Sequence, residues 1–182
     1  IIVSTDSDEY KQKLDLWYPG ICPWLRPGKF AKDASKSSEV ILRAINQMKG
    51  FDTVMLLEPT APLRCNGDID AALELFAEKK AKALISVCDS HRMHPALSFE
   101  LSKDGRIITP AGGDTPHLRR QDMRPFYHPT GTIYIANIDW YKKHETFITG
   151  DTVCYRVNEW QDAEIDHPWD LKLCASVMDM IE

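Results

Sequence analysis

The run Thr53-Val-Met-Leu-Leu-Glu-Pro-Thr-Ala-Pro-Leu-Arg64 decides how the chain is read. Its first five residues, Thr53 to Leu57, are apolar or β-branched and too few for a helix, and Pro59 and Pro62 stop them abruptly. The segment therefore reads as a strand buried on both faces, of the kind that sits centrally in a parallel sheet. In open α/β sheets the ligand crevice lies beyond the carboxyl ends of the strands, which puts Glu58, Thr60 and Arg64 where a ligand would be held. A carboxylate at the end of a buried strand must be hydrated by a cavity or paired, and Arg64 is the nearest candidate partner in sequence.

Outward from this strand the pattern alternates. Upstream, Ile1 to Thr5 reads as another buried strand, and Asp8 to Leu16 as an amphipathic helix stopped by Tyr18-Pro19-Gly20. A second helix starts near Asp33-Ala-Ser35-Lys-Ser37 and presents Val40, Ile41, Ala44, Ile45 and Met48 on one face. Downstream, Asn66-Gly67-Asp68 caps a helix with Ile69, Ala72, Leu73 and Phe76 on its apolar face, and Ala83 to Cys88 follows as a buried strand. This βαβαβ order predicts an α/β, Rossmann-like fold with a mostly parallel central sheet flanked by helices. Thr132 to Ala136 and Val153 to Val157 read as further strands, Ile138 to His144 as a short helix, and Pro168 to Ile181 as the closing helix.

Between residues 89 and 124 the pattern lapses. It holds a weak strand at Ser98-Phe-Glu-Leu101, a turn at Lys103-Asp-Gly105, a glycine pair at Gly112-Gly113 and a basic group of His117, Arg119, Arg120 and Arg124. An irregular stretch this long inside a compact domain predicts a lid or a subunit contact. No second core is evident, so residues 1–182 are expected to form one domain.

Composition narrows the function classes. A chain of 182 residues with 43% hydrophobic content can bury a real core. Its net charge of -5, with Lys and Arg scattered, argues against a nucleic-acid partner. No apolar run approaches the roughly 20 residues of a membrane span, and the start lacks the order of a signal peptide, so a cytoplasmic location is expected. Five cysteines without a CxxC pair, and six histidines without an HxxxH spacing, predict separate reduced thiols rather than a disulfide framework or a zinc site.

Three constellations could carry chemistry. In an extended segment Asp162, Glu164 and Asp166 would share one face, where a hard divalent cation such as Mg²⁺ would offset their repulsion; a solvated acidic loop before a helix is the alternative. Arg119-Arg120-Gln121 offers guanidinium forks suited to a carboxylate or phosphate, or to an interface salt bridge. Pro129-Thr130-Gly131-Thr132 makes a tight turn before a strand, with Tyr134 expected on the same side as Thr132.

Taken in order, Val-Ser-Thr-Asp6, Leu25-Arg26-Pro27, the Leu57 to Arg64 run, Arg119-Arg120-Gln121, Gly131-Thr-Ile-Tyr134 and Glu164-Ile-Asp166 resemble the acylneuraminate cytidylyltransferases, from the first residue to the last helix. The resemblance implies cytidylyl transfer: a nonulosonic, sialic-acid-like sugar takes CMP from CTP, pyrophosphate is released, and Mg²⁺ offsets the triphosphate charge. By matching position it implies Arg26 and Ser37 at the nucleotide, and Glu58, Arg120, Gln121, Thr130 and Tyr134 at the sugar. It further implies Asp166 and Glu164 at the metal, Arg120 and Asp166 as the catalytic pair, and a homodimer formed through residues 89–124.

The chain also departs from the family. The nucleotide loop, rich in Arg, Gly, Ser and Lys, would precede Ile1, so this chain alone is expected to show little or no turnover. Glu58 stands where the family usually has Gln, Thr130 where it has Asn, His128 where it has Arg, and Glu164 where it has Asp; these changes bear on which sugar is taken. The alternative reading is a catalytically inactive, truncated paralogue that binds nucleotide or sugar.

Overall fold

Ala83–Asp89 carries six consecutive buried residues, and the rest of the larger part of the chain is built on it. The computed structural model describes residues 1–32, 34–90, 94–108 and 119–181, with Arg120 described by its backbone alone. Asp33, Gly112, Gly113 and His117, all named above, lie outside the described residues. By internal contacts the chain falls into two compact units, Ile1–Phe51 and Asp52–Glu182.

In the first unit, helix α1 (Asp8–Trp17) starts where Ser7 accepts a hydrogen bond from the Tyr10 N–H, and carries Asp8 and Glu9 in its first turn. The expected opening strand is reduced to a single parallel bridge between Thr5 and Leu25, held by the Val3 N–H on Ile21 O and the Arg26 N–H on Thr5 O. Helix α2 (Ser37–Gln47) buries Ile41 and Ile45, one turn apart on the expected face.

In the second unit, β1 (Thr53–Leu56) leads through α3 (Asp68–Glu78) to β2 (Ala83–Asp89). A small hairpin of β3 (Glu100–Leu101) and β4 (Ile107–Ile108) turns at Gly105, whose φ of +79° favours glycine. Strand β5 (Tyr127–Asn137), α4 (Ile138–His144), β6 (Val153–Arg156) and α5 (Pro168–Ile181) follow.

The sheet order is β1-β5-β2-β6, with β5 antiparallel to both neighbours and β2 parallel to β6. Three of the four strands thus point one way, as the alternation predicts, yet the sheet is mixed because β5 returns between β1 and β2. The reversal comes from the long excursion after β2, which re-enters beside it: the Ser90 N–H donates to Phe126 O at 2.8 Å. One expectation is corrected. Among the described residues β1 is an edge strand, half-buried throughout, not a central strand covered on both faces.

The core packs α3 against this sheet. Ala72, Leu84, Ile133 and Ile135 are fully buried, ringed by Met55, Leu57, Ile69, Leu75, Phe76, Val153 and Tyr155. Leu75 therefore takes the place expected of Leu73, which is 39% exposed. All five cysteines are free.

Candidate active site at the Gly131 bulge

Strand β5 does not run evenly past β2. Ile85 faces Tyr134 and Val87 faces Pro129, so Ser86 alone stands opposite the four residues Thr130 to Ile133. Such a bulge leaves backbone groups without ladder partners, and the Ser86 hydroxyl takes up the deficit. Its Oγ accepts from the Ile133 N–H at 2.8 Å and from the Thr130 hydroxyl at 2.8 Å, and its own proton serves Ile133 O or Thr130 O, 3.1 and 3.2 Å away.

Gly131 sits at the apex of the bulge and joins it to two other segments. Its N–H donates to Glu164 Oε1 at 2.7 Å, and its carbonyl accepts from the Glu58 N–H at 3.2 Å. A Cβ there would lie 2.6 Å from Glu164 Oε1, 3.2 Å from Ala61 Cβ and 3.3 Å from Glu58 Cβ. Only glycine lets these segments meet so closely. The Ile165 N–H donates to Thr60 O at 2.8 Å and ties the same two segments a second time.

Each segment is fixed from behind. Arg64 donates from Nε to Thr132 O and from Nη2 to Glu58 O, both at 2.7 Å, which clamps the Glu58–Arg64 loop to β5. Glu58 and Arg64 are thus linked through a carbonyl and not as the ion pair weighed from sequence. Asp68, at the start of α3, accepts from the Cys65 N–H, the Tyr155 hydroxyl and the buried Gln161 amide. Gln161 belongs to the one-turn 3-10 helix Glu159–Asp162, so Asp68 positions the acidic segment that follows. Asp170 Oδ2 accepts from the Asp166 and His167 N–H groups at 3.0 and 2.7 Å, holding that segment's far end as α5 begins.

Glu58, Glu164 and Tyr134 share one electrostatic environment. Burial, then the Glu164 charge, pushes the Glu58 carboxyl above its usual range. Burial, then Glu164 and Glu58, pushes the Tyr134 phenol up likewise. Among the described residues no salt bridge joins either carboxylate. The carboxylate oxygens of Glu164 and Asp166 are donors of the kind that a hard divalent ion such as Mg²⁺ takes. Glu164 keeps one oxygen free of the Gly131 bond, and Asp166 is exposed beside it in the chain.

The other expected site residues fare differently. Thr130 is 1% exposed and spends its hydroxyl on Ser86, so it supports the bulge and does not face a ligand as expected. The three carboxylates expected on one face part company, because Asp162 closes a 3-10 turn and its Oδ2 accepts instead from His128 Nε2 at 2.8 Å. Gln121 is exposed on a separate one-turn helix, Arg120–Asp122, and the Arg120 side chain lies outside the description. In the first unit, Arg26 pairs with Asp6 at 2.9 Å while its Nε is buried without a hydrogen-bond partner among the described residues, and Ser37 is exposed at the first turn of α2.

No protein-family model matches the chain. It is nevertheless related in sequence over most of its length to N-acylneuraminate cytidylyltransferases and similar synthases. It is 29% identical over 166 residues to the N-acylneuraminate cytidylyltransferase of Streptococcus agalactiae serotype V, a match covering 91% of this chain and 39% of that protein. It is 26% identical over 185 residues to the CMP-N,N'-diacetyllegionaminic acid synthase of Legionella pneumophila, covering 99% of this chain and 78% of the other. The chain spans about two fifths of the length of the N-acylneuraminate cytidylyltransferases it matches, at 39% and 41%. Among solved structures, its fold matches that of a CMP:2-keto-3-deoxy-manno-octonic acid synthetase complexed with CTP. The TM-score is 0.67 and the identity 12%, over 99% of this chain and 80% of the other.

Proposed function

We propose that this chain, a relative of the N-acylneuraminate cytidylyltransferases, forms the body of an enzyme that joins CMP from CTP to a nonulosonic acid. One observation carries the reading: the Glu58–Arg64 loop, the Gly131 bulge with Tyr134, and Glu164 are hydrogen-bonded into a single cluster. These are the segments whose order in the sequence matches the family.

In the proposed reaction the anomeric hydroxyl oxygen of the sugar attacks the α-phosphorus of CTP. The bond to the bridging oxygen breaks, pyrophosphate leaves with the electron pair, and the hydroxyl proton passes to water. Such a step asks the protein mainly for positioning and for charge placed against the phosphates. Glu58, Gln121 and Tyr134 would bind the sugar, and Arg120 its carboxylate and the charge that develops in transfer. Arg26, whose Nε is buried without a hydrogen-bond partner among the described residues, and Ser37 would bind the nucleotide. Asp166 and Glu164 would hold Mg²⁺, which when bound offsets the triphosphate charge.

A homodimer belongs to the same proposal. Leu97, Phe99, Leu101, Ile107 and Ile108 expose apolar side chains on and beside the β3–β4 hairpin, within the segment expected to contact a second subunit. A cytoplasmic location is in keeping with five free thiols and with the lack, among the described residues, of a helix long and apolar enough to cross a membrane. Cell fractionation checks it.

The activity test takes the protein in its full length and follows pyrophosphate release from CTP with several nonulosonic acids. Release with one of them is expected, and Asp166→Asn should lower the Mg²⁺-dependent rate by about 100-fold or more. Silence with every sugar would overturn the reading, and a wild-type rate for the variant would remove Asp166 from the site.

A further inference from the structure

Cys88 on β2 and His128 on β5 are direct cross-strand partners, and Ser90 lies two residues past Cys88. Asp162 approaches them from the 3-10 turn after β6. The result is a chain of contacts: Ser90 Oγ lies 2.8 Å from His128 Nδ1, and His128 Nε2 lies 2.8 Å from Asp162 Oδ2. Ligand atoms of Cys88, His128 and Asp162 all fall within 4.8 Å of one another, the one such group of three among the described residues. They border a pocket of about 620 Å³ that Asp89 and Glu159 also line.

A nucleophilic role fits these residues poorly. Ser90 is 5% exposed and Cys88 2%, so neither side chain is open to attack a substrate. The donors are instead the set that a cation would draw together: one sulfur, one imidazole nitrogen and one carboxylate oxygen. We propose that Cys88, His128 and Asp162 form a site for one divalent cation of the zinc class, with its fourth position open to the pocket.

Sulfur and imidazole donors select zinc-like ions over Mg²⁺. A tetrahedral zinc sphere sets its ligand atoms roughly 3.5 Å apart, so His128 Nε2 and Asp162 Oδ2 need separate only slightly to admit the ion. Ser90 already occupies the place of the outer partner of a metal-binding histidine: with Nε2 bare, the Nδ1–H donates to Ser90 Oγ and fixes the ring. This site shares no ligand with the Glu164 and Asp166 pair and does not depend on the transferase reading.

The test is a titration of the metal-stripped chain with Co²⁺, in a Cys154→Ser background that removes the exposed thiol. One equivalent of Co²⁺ should give a thiolate-to-cobalt charge-transfer band in the near ultraviolet, and Zn²⁺ should displace it. Cys88→Ser should abolish the band, His128→Gln should weaken it, and Ser90→Ala should lower Co²⁺ affinity about 10- to 100-fold. If Cys88→Ser fails to fold, the His128→Gln and Ser90→Ala titrations decide. Absence of the band in the parent chain would overturn the proposal, and so would a band that persists unchanged in Cys88→Ser or in the other two variants.

Discussion

Half-burial and the facing Glu164 charge both disfavour an ionised Glu58, so its proton is held to a higher pH than the ordinary 4.5. The folded state then binds this proton more tightly than the unfolded chain does. The stability it contributes is fully present below about 4.5 and is lost as pH rises through the raised value. Glu58→Gln keeps the shape without the charge, so it should melt higher than wild type near neutral pH, with the gap closing as pH falls below that of an ordinary glutamate. Thermal melts across pH check this; a variant that melts lower throughout would contradict it. At this scale the sequence made Glu58, Gly131 and Tyr134 visible, because a strand end, a glycine turn and an aromatic two or three residues on are local features. It hid the roles of Thr130 and Asp162. The alternation that assigns side chains to faces fails where β5 bulges opposite Ser86, and fails again where residues 159–162 coil into a 3-10 turn.

Strand β5 is the element on which the site depends, and its bulge is held by one hydroxyl. Ser86 is fully buried and bonds to both ends of the four-residue loop. Ser86→Ala would leave the Ile133 N–H buried without a partner and should cost about 1–3 kcal/mol in denaturant unfolding. A neutral result would mean that the bulge is held by other contacts. The only trace of this in the sequence is a lone serine in the apolar run Ala83 to Cys88. Strand and helix positions were readable from period and from breakers such as Pro59, Pro62 and Gly67. Pairing partners were not, since neither the edge position of β1 nor the reversed direction of β5 is encoded in any local period. The Cys88–His128–Asp162 group was hidden for the same reason: its members lie at least 34 residues apart, and they meet only through the pairing of β2 with β5 and the 3-10 turn after β6.

At the scale of the whole molecule, the two units keep the expected nucleotide residues, Arg26 and Ser37, in one and the expected sugar and metal residues in the other. The apolar side chains of the β3–β4 hairpin predict self-association. Sedimentation should find a dimer that Leu101→Asp shifts to monomer; a monomeric parent chain would refute the dimer. The most direct test of cytidylyl transfer compares CTP, UTP and GTP. The full-length protein is given Mg²⁺ and the best nonulosonic acid, and pyrophosphate release is measured for each nucleotide. The account predicts release from CTP at least about tenfold faster than from UTP or GTP, which requires roughly 1.4 kcal/mol of discrimination; equal release from all three, or faster release from UTP or GTP, would contradict it.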